Sequence, residues 1–366
     1  MGHTTPDLEA IASRFDLPAA VTSVSPLGNG NVNDTYQVDT ASGERFVLQR
    51  LNTLVFPEPE LVMGNLQVLT HHVQSKGERA GCQLPTPIAL CGSRDCLLRG
   101  SDGSAWRLIS FIADAHCVDA LENPAQAEQI GRGLGRFHAL VHDLPSNQLH
   151  DTLEGFHVTP RYLSHYRQVL SQTLVPPCPE SEACQRFVAD RLDLVPVLEE
   201  ALLAGQLKLR PIHGDPKVNN VMLCQSSGRA IALVDLDTVK PGLLHTDIGD
   251  CLRSACNLAG EECTDLEAVS FNLELAKALL QGYLAEAGRY LSEADHEHLY
   301  DAIHLLPFEL GLRFLTDYLD GDIYFKTQYP HQNLNRARVQ FRLTESIEAQ
   351  ELEIREILAQ LTARQP

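Results

Sequence analysis

An excess of basic residues is missing from this 366-residue sequence, in which 48 Asp and Glu face 29 Lys and Arg for a formal net charge of −19 at pH 7. That sign disfavours nucleic acid and anionic membranes as partners, and it obliges any phosphate-handling site to gather local positive charge or metal. Also missing is an apolar run near the roughly 20 residues that a membrane-spanning helix needs. The first residues, MGHTTPDLEA, have neither the basic start nor the apolar core of a signal peptide. Ten cysteines are present but lack the paired spacing of a zinc site; Cys91 and Cys96, like Cys251 and Cys256, lie five apart. They read as reduced thiols, and the chain as a soluble cytoplasmic protein with no membrane partner. Repeats and low-complexity tracts are absent as well.

What is present is the composition of a folded protein: 44% hydrophobic and 21% charged residues. The length exceeds what one core usually organises, which favours two lobes. Residues 1–115 look strand-rich, with ASGE and RGSDGS as hairpin turns. One helix interrupts them over 58–76, where Leu61, Leu66, Leu69 and Val73 recur at helical spacing and Gly77 can stop it. From Asn123 and Pro124, a cap and first-turn pair, helices dominate residues 116–366, ending in a charged helix to about Ala363. The expected fold is α+β: a small β-rich N-terminal lobe and a larger helical C-terminal lobe.

The second lobe carries IHGDPKVNNVML from Ile212 onward. Asp and Asn disfavour helix and strand, so the segment reads as a loop entering the short strand 221–223. A lone HGD tripeptide is more often an Asx turn than a site. Here, however, Asp215 precedes Asn220 by five residues, and the apolar run AIALVDLD delivers Asp235 twenty residues after Asp215. That spacing is kinase-like: one Asp accepts the proton of an attacking hydroxyl, while an Asn and a later Asp hold Mg2+ beside ATP. Because strand side chains alternate, Asp235 and Asp237 point to the same side, giving either one metal ligand and one helper or a pair of ligands, with Asp235 the favoured ligand.

In the first lobe, SPLGNGNVNDTYQV is the candidate phosphate-covering loop, with Gly28, Gly30 and Asn31 as nucleotide contacts. An ordinary hairpin turn explains it as well in isolation, because the third glycine of G-x-G-x-x-G is Asn33. A dinucleotide fingerprint fits worse, since DTYQVDT reads as a strand rather than a helix start.

Together these residues resemble the aminoglycoside phosphotransferase and choline kinase superfamily, over nearly the whole chain. Within it, LQRLNTLVFPEP, HGDPKVNNVML, LVDLDTVKPGLLHTDIGD and ELGLRFLTDYLDGDIYF are similar to the N-acetylhexosamine 1-kinases. The resemblance implies a bilobal protein-kinase-like fold and an ATP- and Mg2+-dependent kinase of a small sugar, acting as a monomer or weak homodimer. It implies Asp215 as catalytic base in contact with the acceptor, Asn220 and Asp235 as metal ligands, and Asp237, Arg313 and Tyr324 on the substrate side. Phe111 and Ile112 fall where such kinases bond adenine through the backbone, although their side chains also suit a core.

One departure stands out. Gln49 follows FVL where kinases place a lysine for the α- and β-phosphates, and Arg50 should face the other way. Glu58, Glu60 and Gln67 are equal candidates for the partner of that position. This motivates the rival of a nucleotide-binding scaffold without turnover, which the retained Asp215, Asn220 and Asp235 oppose. A second rival is a kinase of another small alcohol, such as an aminoglycoside, choline or homoserine. His138 and His142, four apart on a helix, lack the glutamate of a metalloprotease motif and read as a histidine pair. Asp247 and Asp250 suit either a helix N-terminus or support of the site. Arg313, in an apolar stretch, calls for a ligand or an acidic partner, with Asp317, Asp320 and Asp322 nearby in sequence.

Overall fold

The computed structural model describes residues 7–28, 32–77 and 81–363. A short helix α1 (Leu8–Ala12) begins at Asp7, whose side chain accepts from the Ala10 amide. Strands β1 (Val21–Pro26), β2 (Asp34–Thr40) and β3 (Arg45–Leu51) follow, then helix α2 (Pro59–Ser75), then β4 (Leu98–Arg99) and β5 (Ala105–Ser110). The five strands make one antiparallel sheet in the order β1-β2-β3-β5-β4. Both expected turns close hairpins, with Gly43 and Gly103 at φ 84° and 82°, a region other residues avoid.

The two faces of β3 separate by alternation. Phe46 and Leu48 join Phe15, Ala12 and Trp106 in a small core under α1. Gln49 takes the opposite face, directly across from Arg107 of β5, and Arg50 is exposed as expected. Helix α2 ends before Gly77, at φ 61°, and buries Leu66, Leu69 and Val73.

After β6 (Ala115–His116) comes α3 (Pro124–Val141), capped as expected by Asn123, whose side chain accepts from Gln126 N at 3.0 Å. Next are α4 (Thr159–Gln172), α5 (Pro179–Ala189) and α6 (Val197–Leu203). Four short strands follow: β7 (Arg210–Ile212), β8 (Val221–Cys224), β9 (Ala230–Leu233) and β10 (Lys240–Gly242). They form a β7-β10 pair and a β6-β8-β9 sheet. The remainder is helical: α7 (Leu244–Cys256), α8 (Leu273–Ala287), α9 (Glu293–Glu297), α10 (Leu299–Asp320), α11 (Gln332–Ala349) and α12 (Glu351–Thr362). The expected single C-terminal helix is therefore two. The helical backbone breaks at Gln350 (φ −113°), whose side-chain Nε2 donates to the Phe271 carbonyl at 3.0 Å while its backbone amide bonds back to the Ile347 carbonyl at 3.1 Å.

The main core joins α2 to α3, β8, β9, α7 and α8, so it runs continuously beneath the sheet and into the helical part. A second core lies among α4, α5, α6, α10 and α11 around Phe308 and Leu312. Helices α3 and α8 approach so closely that a Cβ on Gly131 would fall 1.9 Å from the Leu279 carbonyl oxygen. Gly133 of the same helix lies against Val221 of β8 and Ala230 of β9, the strands that flank the HGDPKVNN loop and the Asp235 segment.

Candidate active site

Strand β7 delivers His213 and Gly214 into a loop that ends in a single 3-10 turn, Val218–Asn220, before β8. The loop is anchored from below by Asp247 in the first turn of α7. Its carboxylate accepts from His213 N at 2.7 Å and Gly214 N at 2.8 Å, and from His138 Nε2 at 2.9 Å. Asp247 thus supports the site instead of serving only its own helix end, and His138 is a buried hydrogen-bonding residue, its Nδ1 bonded to Tyr283 Oη. Gly214 sits at φ 87°, where an added Cβ would lie 2.5 Å from the Thr238 carbonyl oxygen.

His213 ties the two acidic loops together. Its Nε2 lies 2.9 Å from the Val234 carbonyl, while its Nδ1 accepts from Asp215 N at 3.3 Å. Burial holds its pKa below the usual value, which agrees with a neutral ring that donates on one side and accepts on the other. Asn220 completes the loop by donating Nδ2 to the Asp215 carbonyl at 2.7 Å. Its amide oxygen remains as an acceptor for something else. Asn220 O in turn receives Val234 N at 2.9 Å, so the Asn220 and Asp235 segments run side by side.

The strand carrying Asp235 ends earlier than expected, at Leu233. Asp235 adopts a left-handed backbone at φ 61°, and Leu236–Thr238 forms a 3-10 turn. The alternation argument for Asp235 and Asp237 therefore fails, because two-residue periodicity holds only within a strand. Asp235 is exposed, whereas Asp237 is 2% exposed. Asp237 Oδ2 accepts from Asn33 Nδ2 at 2.7 Å, and Oδ1 lies 2.5 Å from an Arg107 amino group. The protein packed round it, and then the like charges of Asp237 and Asp215, push the Asp235 carboxyl up to about 7. Such crowding suits a site that receives a cation.

Gln49 contacts neither α2 candidate charge. Glu60 pairs with Arg99 and Gln67 bonds to Cys96, while Glu58 forms only the helix N-terminus. Instead Gln49 Oε1 accepts from Arg107 Nε at 2.9 Å and from its NH2 group at 2.7 Å, and Nε2 donates to Thr35 at 3.1 Å.

Asp215 is partly exposed, and its Oδ2 lies 2.9 Å from Lys217 Nζ. Burial opposes the charge on Lys217, but the Asp215 carboxylate outweighs it and raises the pKa. Behind the loop, His157 bridges two elements, with Nδ1 2.8 Å from Glu309 Oε1 on α10 and Nε2 2.9 Å from the Gly214 carbonyl. Both ring nitrogens face acceptors. Burial works against the imidazolium, yet the Glu309 charge prevails and the pKa is raised.

One helical turn beyond Glu309, Arg313 has none of the expected acidic partners. Asp317 is occupied otherwise, accepting the amides of Ile323, Tyr324 and Phe325 at 3.0, 2.7 and 2.9 Å and so shaping the loop that presents Tyr324. The Arg313 guanidinium lies among aromatic rings, 5.2 Å from Phe156, 5.1 Å from Tyr162, 6.0 Å from Tyr324 and 5.5 Å from Phe325.

Phe111 is half-buried with Arg45 stacked 4.2 Å from its ring centre, and Ile112 is buried. Both line a cavity of about 300 Å³ together with α2. A larger cavity, about 620 Å³, lies between α2, α3 and α8 and contains none of the candidate residues. Gly28 has φ 68°, as a tight turn requires; Gly30 and Asn31 lie outside the described residues. Among the described residues no three His, Cys, Asp or Glu converge as a metal site, His142 stacks on Tyr290, and the cysteines are free thiols. No described helix is long and apolar enough to cross a membrane.

Sequence reasoning missed Arg107, Lys217, Asn33 and His157. Arg107 leaves one trace, a charge in the middle of the otherwise apolar AWRLIS. Lys217 stands inside the motif that was read. Asn33 stands inside SPLGNGNVNDTYQV and His157 in no motif, and neither shows its partner, because the partners are 204 and 152 residues away.

The chain matches the model of the "Phosphotransferase enzyme family" over residues 23–293. Among solved structures it is similar to an aminoglycoside phosphotransferase from Alicyclobacillus acidocaldarius, at 17% identity and TM-score 0.65, covering 98% of each chain. It is also similar to a choline kinase from Cryptosporidium parvum, at 14% identity and TM-score 0.58, covering 93% of this chain and 92% of that one. An amicoumacin kinase in complex with AMP-PNP, Ca2+ and amicoumacin matches at 14% identity and TM-score 0.61, covering 92% of each. These neighbours share its α+β kinase-like fold, and the chain belongs to the phosphotransferase enzyme family.

Proposed function

We propose that this protein is an ATP- and Mg2+-dependent kinase that phosphorylates the anomeric hydroxyl of an N-acetylhexosamine, in a cleft between a nucleotide-binding lobe (1–115) and a catalytic and substrate lobe (116–366). Asp215 takes the proton of the acceptor hydroxyl, held for that task by backbone bonds through His213 and Asn220. Lys217, beside Asp215, sets its carboxylate and places a positive charge on the side of the transferred group. Asn220 and Asp235 are the residues that would hold Mg2+: one amide oxygen left over and one crowded, solvent-facing carboxylate are a hard-cation donor set completed by nucleotide oxygens. The metal, when bound, neutralises charge on the phosphates. The backbone of Phe111 and Ile112 receives adenine. Gly28, Gly30 and Asn31 cover the phosphates, while Asp237 supports the Asp235 segment.

The observation that carries the choice of acceptor is Arg313. A guanidinium without a carboxylate partner among the described residues, ringed by Phe156, Tyr162, Tyr324 and Phe325, repels a cationic acceptor such as choline. It suits a neutral sugar, which offers hydroxyl and acetamido oxygens to the donors and C–H faces to the rings. The test is ATP consumption over free hexosamines, amino alcohols and aminoglycosides with and without Mg2+. Mg2+-dependent activity on GlcNAc or GalNAc, reduced about tenfold or more by Arg313→Ala through loss of charge-assisted bonds, supports the reading. Activity confined to choline or an aminoglycoside replaces it.

A further inference from the structure

Gln49 leaves a question of charge. The nucleotide brings several negative oxygens, and the nearby side of the cleft already holds Asp235 and Asp237, yet the strand position at which the resemblance leads one to expect a lysine is neutral. A buried cation stands directly across from it. Arg107 is 2% exposed. Its Nε and NH2 groups are engaged by Gln49 and Asp237. Its NH1 group is buried without any hydrogen-bond partner among the described residues. Desolvated donors left unmatched are costly, and they mark a place where an acceptor belongs.

We infer that Arg107 supplies the phosphate-binding charge on the sheet side of the cleft, its NH1 group donating to the nucleotide's phosphate oxygens, with Gln49 as the residue that positions it. This rests on the kinase reading above. Arg107 joins three elements at one point: β3 through Gln49, the Asp235 segment through Asp237, and, through Asn33 on that same carboxylate, the chain entering β2. Asn33 Oδ1 also accepts Asn52 N at 3.0 Å, which fixes the end of β3 to the same cluster. The identity of residue 49 follows. A lysine there would set an ammonium against the guanidinium, whereas the glutamine presents its carbonyl oxygen to Arg107 and turns its amide to Thr35. Glutamine at 49 and arginine at 107 are thus one device, a charge moved from β3 to β5.

The experiment is a binding series with adenosine, ADP and ATP, read by calorimetry on the full chain. Variants are Arg107→Lys, Arg107→Met, the double variant Arg107→Met/Asp237→Asn, and Gln49→Lys/Arg107→Met. The second double variant returns a cation to position 49, and the first removes both buried charges should the lone Met change leave Asp237 unpaired and the protein unfolded. Expected is adenosine affinity within about twofold of wild type, with ADP and ATP affinity lower by about tenfold or more, the size of a charge-assisted bond. Partial recovery is expected in Arg107→Lys and in Gln49→Lys/Arg107→Met. Equal losses for adenosine and ADP, or ADP affinity unchanged in the folded variants, overturn the inference and leave Arg107 a structural tie. Wild-type protein that binds adenosine and ATP alike removes the kinase reading and this inference with it.

Discussion

The two groups of residues that make up the proposed site are held by different means. On the helical side, Asp215, Asn220 and Asp235 are set by backbone tethers: Asp247 holds two loop amides, His213 links the two loops, and His157 ties the loop to α10. On the sheet side, Gln49, Arg107, Asp237 and Asn33 meet through side chains alone, across β3 and β5 and over to the 3-10 turn. A backbone-tethered group keeps residue types at fixed spacing along the chain. A side-chain group needs only the right charge at the right place, and different positions can supply it.

The largest effect that sharpens this contrast is expected at Asp215. Asp215→Asn keeps the tethers, which run through its backbone, and should lower kcat by about 100-fold or more, as loss of a positioned base implies. Nucleotide binding by calorimetry should be unchanged. Wild-type turnover in the folded variant would break the assignment of chemistry to the helical side.

The next tests the tether itself. The raised pKa of His157 means that the native state keeps a proton the unfolded chain releases. Its stabilisation is therefore full below about pH 6.5, the unfolded value, and is lost as pH rises through the raised native value. His157→Gln should cost about 3 kcal/mol at pH 6, because buried Glu309 loses its cation. It should also flatten the fall in stability above pH 6.5, followed by denaturant unfolding at several pH values. A variant as pH-dependent as wild type would show that the bridge is neutral.

The smallest effect is expected at Gln49. Gln49→Ala removes the acceptor of two Arg107 hydrogen bonds but no charge, so kcat/KM for ATP should fall by about tenfold, less than for Asp215→Asn. A collapse as deep as that of Asp215→Asn would mean that Gln49 touches the reacting groups directly.

The same contrast explains what was legible. That the Asp215–Asn220 loop and the Asp235 segment lie side by side could be read from spacing because the loop and the two strands around it are local, and the Asn123 cap, the Gly77 stop and the two hairpins were legible for the same reason. The alternation of Asp235 and Asp237 was misread because the strand stops at Leu233, a boundary that the apolar pattern AIALVDLD does not mark. The split at Gln350 escaped because apolar periodicity continues through α12. Arg107 escaped because its meaning depends on which strand lies beside β3, and β5 begins 54 residues after β3 ends. Arg313 was legible as a residue in need of a partner, but Asp317 had already been taken by three backbone amides.

The most direct measurement of the central claim follows Mg2+-dependent ATP consumption with free GlcNAc or GalNAc beside their methyl glycosides, with 31P NMR of the product. If Asp215 accepts the anomeric proton, the free sugars yield an acid-labile glycosyl phosphate and lose their reducing end, and the glycosides are inert, because the oxygen that must lie in line with the γ-phosphoryl group is blocked. Phosphorylation of a methyl glycoside at a rate comparable to the free sugar would contradict it.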